Sequence, residues 1–354
     1  MKFTRRTALL AAASATIALT LSACGTPVGS SPQSSGSTAN AEASGEASFP
    51  VSIKHIYGTT EITEKPTRIA TVSWVNADAV LALGVVPVGM AEDVWGNNAQ
   101  GSTDWKDAKL TELGAALGTE KAPVQYAEAD GVNFTAIAET KPDLIVAGYS
   151  GLTKDEYEKL SKIAPVIAPI APNYTSSWQQ VTTAVGQALG QQDEATALIT
   201  DVEGKLKAAA DANPVFKDTV FIAGNLEPAD GGINLYATGD SRPRFLTALG
   251  MKQAPMVDEN VKDGEFFLPW AAERGNELES DIFFTWIPAG STTDAIKANK
   301  LFSQIPAVAK GGLVAAANDM EVLSISAASP LSVPYAIEKV VPALAAGAHA
   351  ATGK

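Results

Sequence analysis

The chain has 354 residues, 46% of them hydrophobic and 7% aromatic, with 39 acidic against 26 basic side chains and a formal net charge of −13. That length suggests two domains, and so acidic a chain lacks the clustered positive charge a phosphate backbone needs, so nucleic acid is not an expected partner. One Cys excludes an internal disulfide or a Cys-based zinc cluster, and His55 and His349 alone are too few for a multi-histidine metal site.

In chain order, Met1 to Cys24 reads as an export signal. Lys2, Arg5 and Arg6 precede an apolar stretch from Ala8 to Leu21 that is too short for a permanent membrane span. It ends in Leu21-Ser22-Ala23-Cys24, which resembles the bacterial lipobox, so cleavage after residue 23 and lipidation of Cys24 are expected. Thr4-Arg5-Arg6 only hints at twin-arginine export, since Ala8 stands where a bulky apolar residue is usual. Gly25 to Ser48 is almost entirely small and polar and predicts a flexible tether spanning about 27 Å.

Beyond Phe49 the hydrophobic period alternates between strand and helix. Arg68–Val72 predicts a strand, Ala77, Val80, Leu81 and Leu83 a helix stopped by Gly84, and Val85–Val88 the next extended piece. Asp143–Ala147 and Val166–Ile167 predict strands flanking a helix marked by Tyr157, Leu160 and Ile163. Such βαβ alternation implies an α/β fold with a largely parallel sheet. From Ser176 to Asn213 the pattern is helical throughout: one stripe runs Trp178, Val181, Val185, Leu189, and a second of about 20 residues runs Ala195 to Ala209. Strand-like runs resume at Thr219–Ala223, Asp281–Trp286 and Leu313–Ala316, with a helix at Phe245–Leu249 closed by Gly250. The expected division is a signal peptide at 1–23, lipidated Cys and tether at 24–48, an N-terminal lobe at 49–175, a helical linker at 176–213 and a C-terminal lobe at 214–354.

Several segments, in order, resemble iron-siderophore substrate-binding proteins of ABC transporters. They are Ile56-Tyr57-Gly58-Thr59-Thr60-Glu61-Ile62, Lys65-Pro66-Thr67-Arg68-Ile69, Leu83-Gly84-Val85-Val86-Pro87-Val88-Gly89, Lys141-Pro142-Asp143-Leu144-Ile145, Leu160–Val166 and Phe245–Met251. The resemblance covers roughly residues 50–345. It implies two Rossmann-like lobes joined by a single long interdomain helix, of the class III periplasmic-binding-protein type. It also implies a non-catalytic receptor, expected as a monomer, that captures a ferric siderophore and delivers it to ABC permease subunits from the outer face of the cell membrane.

An iron chelate recognised from outside asks for aromatic walls and a few cationic groups rather than metal ligands, and no cofactor is implied. Four Arg remain beyond the signal. Arg242 and Arg244, in Asp240-Ser241-Arg242-Pro243-Arg244, enter a helix in a loop that resembles one carrying ligand contacts in siderophore binders. Arg242 is the expected anion clamp, aided by the helix N-terminus. Arg68, at the head of a strand, is read as structural. Trp95 and Tyr149 follow extended segments, Tyr236 sits just ahead of the Arg loop, and the three are the expected aromatic wall. Trp178 is read as core, while Trp270 and Trp286 are open between core and cleft. For permease docking the resemblance implies one Glu on each lobe. Glu273 matches the C-terminal position, whereas Thr135 stands at the N-terminal one, so either Glu139 or Glu128 substitutes or the N-terminal contact is not a salt bridge.

Two other readings compete. A haem or corrinoid receptor on the same scaffold would recruit an axial ligand, for which Tyr149 or Met90 could serve. A secreted lipid-anchored hydrolase would use Ser150 in Gly148-Tyr149-Ser150-Gly151, but this is not G-x-S-x-G, and neither His falls near it in sequence.

Overall fold

The computed structural model describes residues 49–353 except 173, 228–230, 263 and 289. The signal, Cys24 and the tether lie outside the described residues. Among those that are described, no helix is long and apolar enough to cross a membrane.

An antiparallel hairpin, β1 (Val51–His55) and β2 (Gly58–Ile62), opens the fold. Its turn needs Gly58, whose φ of +131° lies outside the range of residues with a Cβ. The hairpin buries Ile53 and Ile62 against a five-stranded sheet. That sheet comprises β3 (Ile69–Thr71), β4 (Gly89–Ala91), β5 (Val124–Tyr126), β6 (Leu144–Val146) and β7 (Val166–Ile167), in the order β5-β4-β3-β6-β7. Every pairing in it is parallel. β3, β4 and β6 are buried along their whole length, which is why they read as unbroken apolar runs and not as alternation. The extended piece predicted at Val85–Val88 forms its strand slightly later, at β4.

The segments that carry the resemblance hold this sheet together. The Asp143 carboxylate accepts from the backbone of Thr67 (2.9 Å) and Arg68 (2.8 Å), and Arg68 Nε donates to the Lys141 carbonyl (2.8 Å). Arg68 is thus a structural residue, tying the start of β3 to the start of β6.

Two helices follow. Trp178–Leu189 begins with a reciprocal cap between Ser177 and Gln180 and ends at Gly190 in the left-handed conformation. Its stripe of Val181, Val185 and Leu189 packs into the first core. Gln192–Ala212, 21 residues and about 31 Å long, places Ala195 in that core and Val202 and Leu206 in the second. It is the long helix that links the lobes. A Cβ on Gly186 would lie 2.4 Å from the Ala195 Cβ, so the two helices cross where only glycine fits.

The second sheet is mixed. Strands β8 (Val220–Glu227), β9 (Gly232–Tyr236), β10 (Lys252–Gln253), β11 (Phe267–Trp270), β12 (Ile282–Trp286) and β13 (Leu313–Ala316) run β11-β9-β8-β12-β13, with β10 pairing the head of β8. β10, β12 and β13 pair in parallel, whereas β9 and β11 are antiparallel. The four residues between β8 and β9 are too few for a parallel crossover, so a hairpin results. The chain then returns: Leu323 and Ala327 of the C-terminal part are buried in the first core.

Candidate ligand cleft

Both sheets reverse their strand order once, the first between β3 and β6 and the second between β8 and β12. Ligands of open α/β sheets sit beyond strand C-termini at such switch points. Here a cavity of about 330 Å³ lies at both of them. Trp74 follows β3, Tyr149 follows β6, Asn225 lies on β8 and Trp286 ends β12, and all four line it.

The wall from the first lobe is built of loop aromatics. Trp74 and Tyr174 are 38% and 36% exposed, unusually open for side chains so large, and they stack with centroids 6.3 Å apart and planes at 21°. Tyr149 meets Tyr174 edge-on at 5.7 Å. The buried Asn76 amide holds the Tyr149 backbone at both ends, accepting from its N–H and donating to its carbonyl, each at 2.9 Å. Tyr174 has a φ of +59°, and a Cβ on Gly151 would come within 2.7 Å of its hydroxyl, so Gly151 leaves room for the ring. Trp95 completes this wall and crosses to the other lobe, meeting Trp286 edge-on at 6.1 Å. Behind Trp74, the Ser73 N–H (φ +65°) donates to the Glu128 carboxylate at 2.8 Å. Burial pushes that carboxyl up to about 7.

The opposite wall is organised by strands. Tyr236 on β9 and Trp286 on β12 both donate to the Asn225 side-chain oxygen on β8. The Arg242 guanidinium lies flat over the Tyr236 ring at 3.3 Å. Its Nε and one Nη donate to the two Asp240 oxygens at 2.8 and 2.6 Å, with both side chains largely buried. Burial opposes the guanidinium charge, but Asp240 outweighs it and holds Arg242 protonated.

The cleft therefore brings together Trp95, Tyr149, Tyr236 and Arg242. Two expectations need correcting. Arg242 is not a free cation, because Asp240 neutralises it. Asp240 also caps the helix Ser241–Ala248, accepting from the Arg242 N–H at 2.9 Å, so a carboxylate of the protein already stands at that helix end. Arg244 points elsewhere, since two residues along a helix turn the side chain by about 200°. It donates to the Thr175 carbonyl at 2.7 Å and lines a separate cavity of about 770 Å³ against Trp178, Leu206 and Phe245. That cavity is the larger, but it lies at neither switch point and contains no cluster of aromatic rings.

Trp286 is resolved into the cleft, whereas Trp270 packs under Arg274 in a separate core with Ile222, Leu226 and Phe283, and Trp178 lies in the core with Val202 and Leu206. Sequence reasoning missed Trp74, Tyr174, Asn225 and Phe266. Position just beyond a strand at the switch point was a usable signal for Trp74 alone. Met90 is 1% exposed in the core with Leu81 and Leu110, and the Tyr149 hydroxyl donates to the Ser326 carbonyl at 3.0 Å. Burial also raises the Tyr149 phenol above its ordinary value, so both groups offered as axial haem ligands are engaged within the protein. Ser150 is buried and donates to the Ala147 carbonyl at 2.8 Å, while His55 Nε2 is engaged by Thr60 at 3.0 Å, so these two form no nucleophile–base pair. Glu139 and Glu273 are both exposed.

Two α/β lobes meeting over an aromatic crevice define a two-lobed solute-binding protein. Residues 69–319 match the model of the periplasmic binding protein family, and the chain belongs to that family, whose members bind solutes and are not enzymes. PiaA of Streptococcus pneumoniae TIGR4, solved in complex with ferrichrome, is 30% identical. That similarity covers 84% of this chain and 99% of PiaA, with a TM-score of 0.77. YfiY of Bacillus subtilis strain 168, named as a probable siderophore-binding lipoprotein, is 27% identical over 75% of this chain and 74% of its own. The match to another lipoprotein of that organism, YhfQ, at 29% identity, spans about half of each chain.

Proposed function

We propose that this protein captures a ferric siderophore outside the cytoplasm and delivers it to an ABC importer, and that its ligand is an electroneutral chelate of the hydroxamate type. The observation that carries this is the charge of the cleft. Its lining holds one cation and one anion, Arg242 and Asp240, bonded to each other. A ferric tris-hydroxamate is neutral overall, whereas tris-catecholate and citrate complexes of ferric iron are anionic and would need unpaired positive charge. Arg242 keeps one Nη free to donate to a hydroxamate oxygen, and Trp74, Trp95, Tyr149, Tyr174 and Trp286 offer ring faces and edges to an apolar chelate surface. The ferrichrome complex of PiaA and the naming of YfiY support the same reading.

In this reading residues 49–175 and 214–354 act as the two jaws and 176–213 as the strut between them. Cys24 carries a lipid that holds the protein at the outer face of the cell membrane, the protein works as a monomer, and Glu273 with Glu139 meets the permease. Titration with ferrichrome, a ferric tris-catecholate and ferric citrate, followed by tryptophan quenching, tests the proposal. Ferrichrome should bind at least 100-fold more tightly than either anion. Tighter binding of an anionic complex would overturn the electroneutral assignment, and no binding of any ferric chelate would overturn the whole reading.

A further inference from the structure

Lys106 is among the largest fully buried side chains of the fold, 1% exposed on the helix Asp104–Glu112. A buried ammonium is costly unless each of its donors is answered. Among the described residues it bonds to the Asp93 carboxylate, itself buried, and to the backbone carbonyl of Trp74 at 3.2 Å. Neither lines the cleft directly, yet each belongs to a segment that does. Trp74 is the open ring stacked on Tyr174. Asp93 stands two residues before Trp95, on a loop whose Gly96 (φ +64°) lies so close to the second lobe that a Cβ would come within 2.7 Å of the Asp319 carbonyl. The neighbouring Trp105 reaches back as well, its indole N–H donating to Asp78 at 2.8 Å, and Asp78 accepts from Ser329 Oγ at 2.5 Å.

We infer that Lys106 is a positioning residue for ligand capture: from behind the cleft, one buried ammonium fixes both tryptophans of the first lobe's wall, Trp74 through its carbonyl and Trp95 through Asp93. The two loops leave the paired strands β3 and β4, and beyond the end of that pairing Lys106 bridges them. Without it the rings remain but their separation is no longer fixed, so the ligand must order them on binding. The inference rests on the siderophore reading for its ligand but not for its geometry, and the test separates the two.

The variant is Lys106→Met with Asp93→Asn, which removes the ammonium together with its ion-pair partner; Lys106→Met alone is its companion. Near-UV circular dichroism of the ligand-free protein reports the Trp74–Tyr174 stack, with Trp74→Phe identifying its band. The double variant should lose most of that band while keeping its far-UV spectrum, and should bind ferrichrome 10-fold or more weakly. Combined with Trp74→Phe, the affinity losses should be less than additive, because the Trp74 ring is one of the two through which Lys106 acts. A retained band overturns the inference whether or not the wild type binds ferrichrome. So does an affinity within twofold of wild type, or strict additivity with Trp74→Phe, which would mark Lys106 as merely structural. Failure of the wild type to bind any ferric chelate, with the band lost in the variant, would instead overturn the functional reading alone.

Discussion

The two walls of the cleft reach similar chemistry by different means. On the second lobe, Asn225, Tyr236 and Trp286 stand on adjacent strands, and the Asn225 side-chain oxygen gathers the other two. Sheet register sets their spacing. On the first lobe, Trp74, Trp95, Tyr149 and Tyr174 all stand on loops, and their positions depend on Asn76, Glu128 and Lys106 behind them. The strand-borne wall is fixed by the backbone ladder, whereas the loop-borne wall is fixed by buried polar groups and is the one able to adapt to a ligand.

If that contrast is right, the largest effect should come from the hub of the rigid wall. Asn225→Leu leaves the Tyr236 hydroxyl and the Trp286 indole N–H without their acceptor, at about 1–3 kcal/mol for each donor that stays buried. Urea denaturation should show a stability loss of roughly 2–4 kcal/mol, with ferrichrome binding weakened by at least two orders of magnitude. Trp74→Ala, on the adaptable wall, should weaken ferrichrome binding about 10-fold, as loss of an aromatic anchor does. Because the ring is 38% exposed, its melting temperature should stay near that of wild type. A stability loss as large as that of Asn225→Leu would erase the distinction between the walls.

The polar groups behind the loop wall also predict a pH dependence. Burial pushes Asp78 up to about 6 and Glu128 up to about 7. A carboxyl whose folded pKa is raised holds a proton that the unfolded chain has already released. Stability therefore falls as pH rises from about 4 through those values, and levels off above them. Asp78→Asn together with Glu128→Gln should flatten the melting profile across that window, and an unchanged slope would mean that these carboxyls do not bear the load assigned here. The smallest effect on affinity should come from the exposed Glu273 and Glu139. Reversal to Lys should leave ferrichrome binding unchanged and reduce importer-dependent uptake; a loss of affinity would move either residue into the cleft.

The fold was largely legible because its strands are short, buried on both faces and punctuated by glycine, so β3, β6 and β7 stand out as apolar runs. The β1–β2 hairpin and the antiparallel β9 and β11 did not stand out, since a polar edge and a four-residue turn carry little periodic signal. The site was half legible. Trp95 and Tyr149 could be placed by their position after extended segments, and Tyr236 and Arg242 by the loop that enters a helix at Asp240. Tyr174 could not, because it sits in irregular chain at a positive φ that no pattern announces. Asn225 was hidden because the predicted strand stopped at Ala223, whereas β8 runs on to Glu227. Arg242 and Arg244 were indistinguishable as neighbours in sequence; the helix that separates them by about 200° also sends one to the cleft and the other to its far side. Asp240 lay two residues away in plain view, so a pair between Arg242 and a nearby Asp was legible; that Asp240 also caps the helix was not.

The central claim is that the cleft grips an intact iron complex from outside and donates no atom to the metal. The absorption spectrum of ferrichrome bound to the protein tests this most directly. The hydroxamate-to-iron band should keep the position and shape it has in free ferrichrome. A new long-wavelength tyrosinate-to-iron band, lost in Tyr149→Phe, would mean that the protein ligates the iron itself.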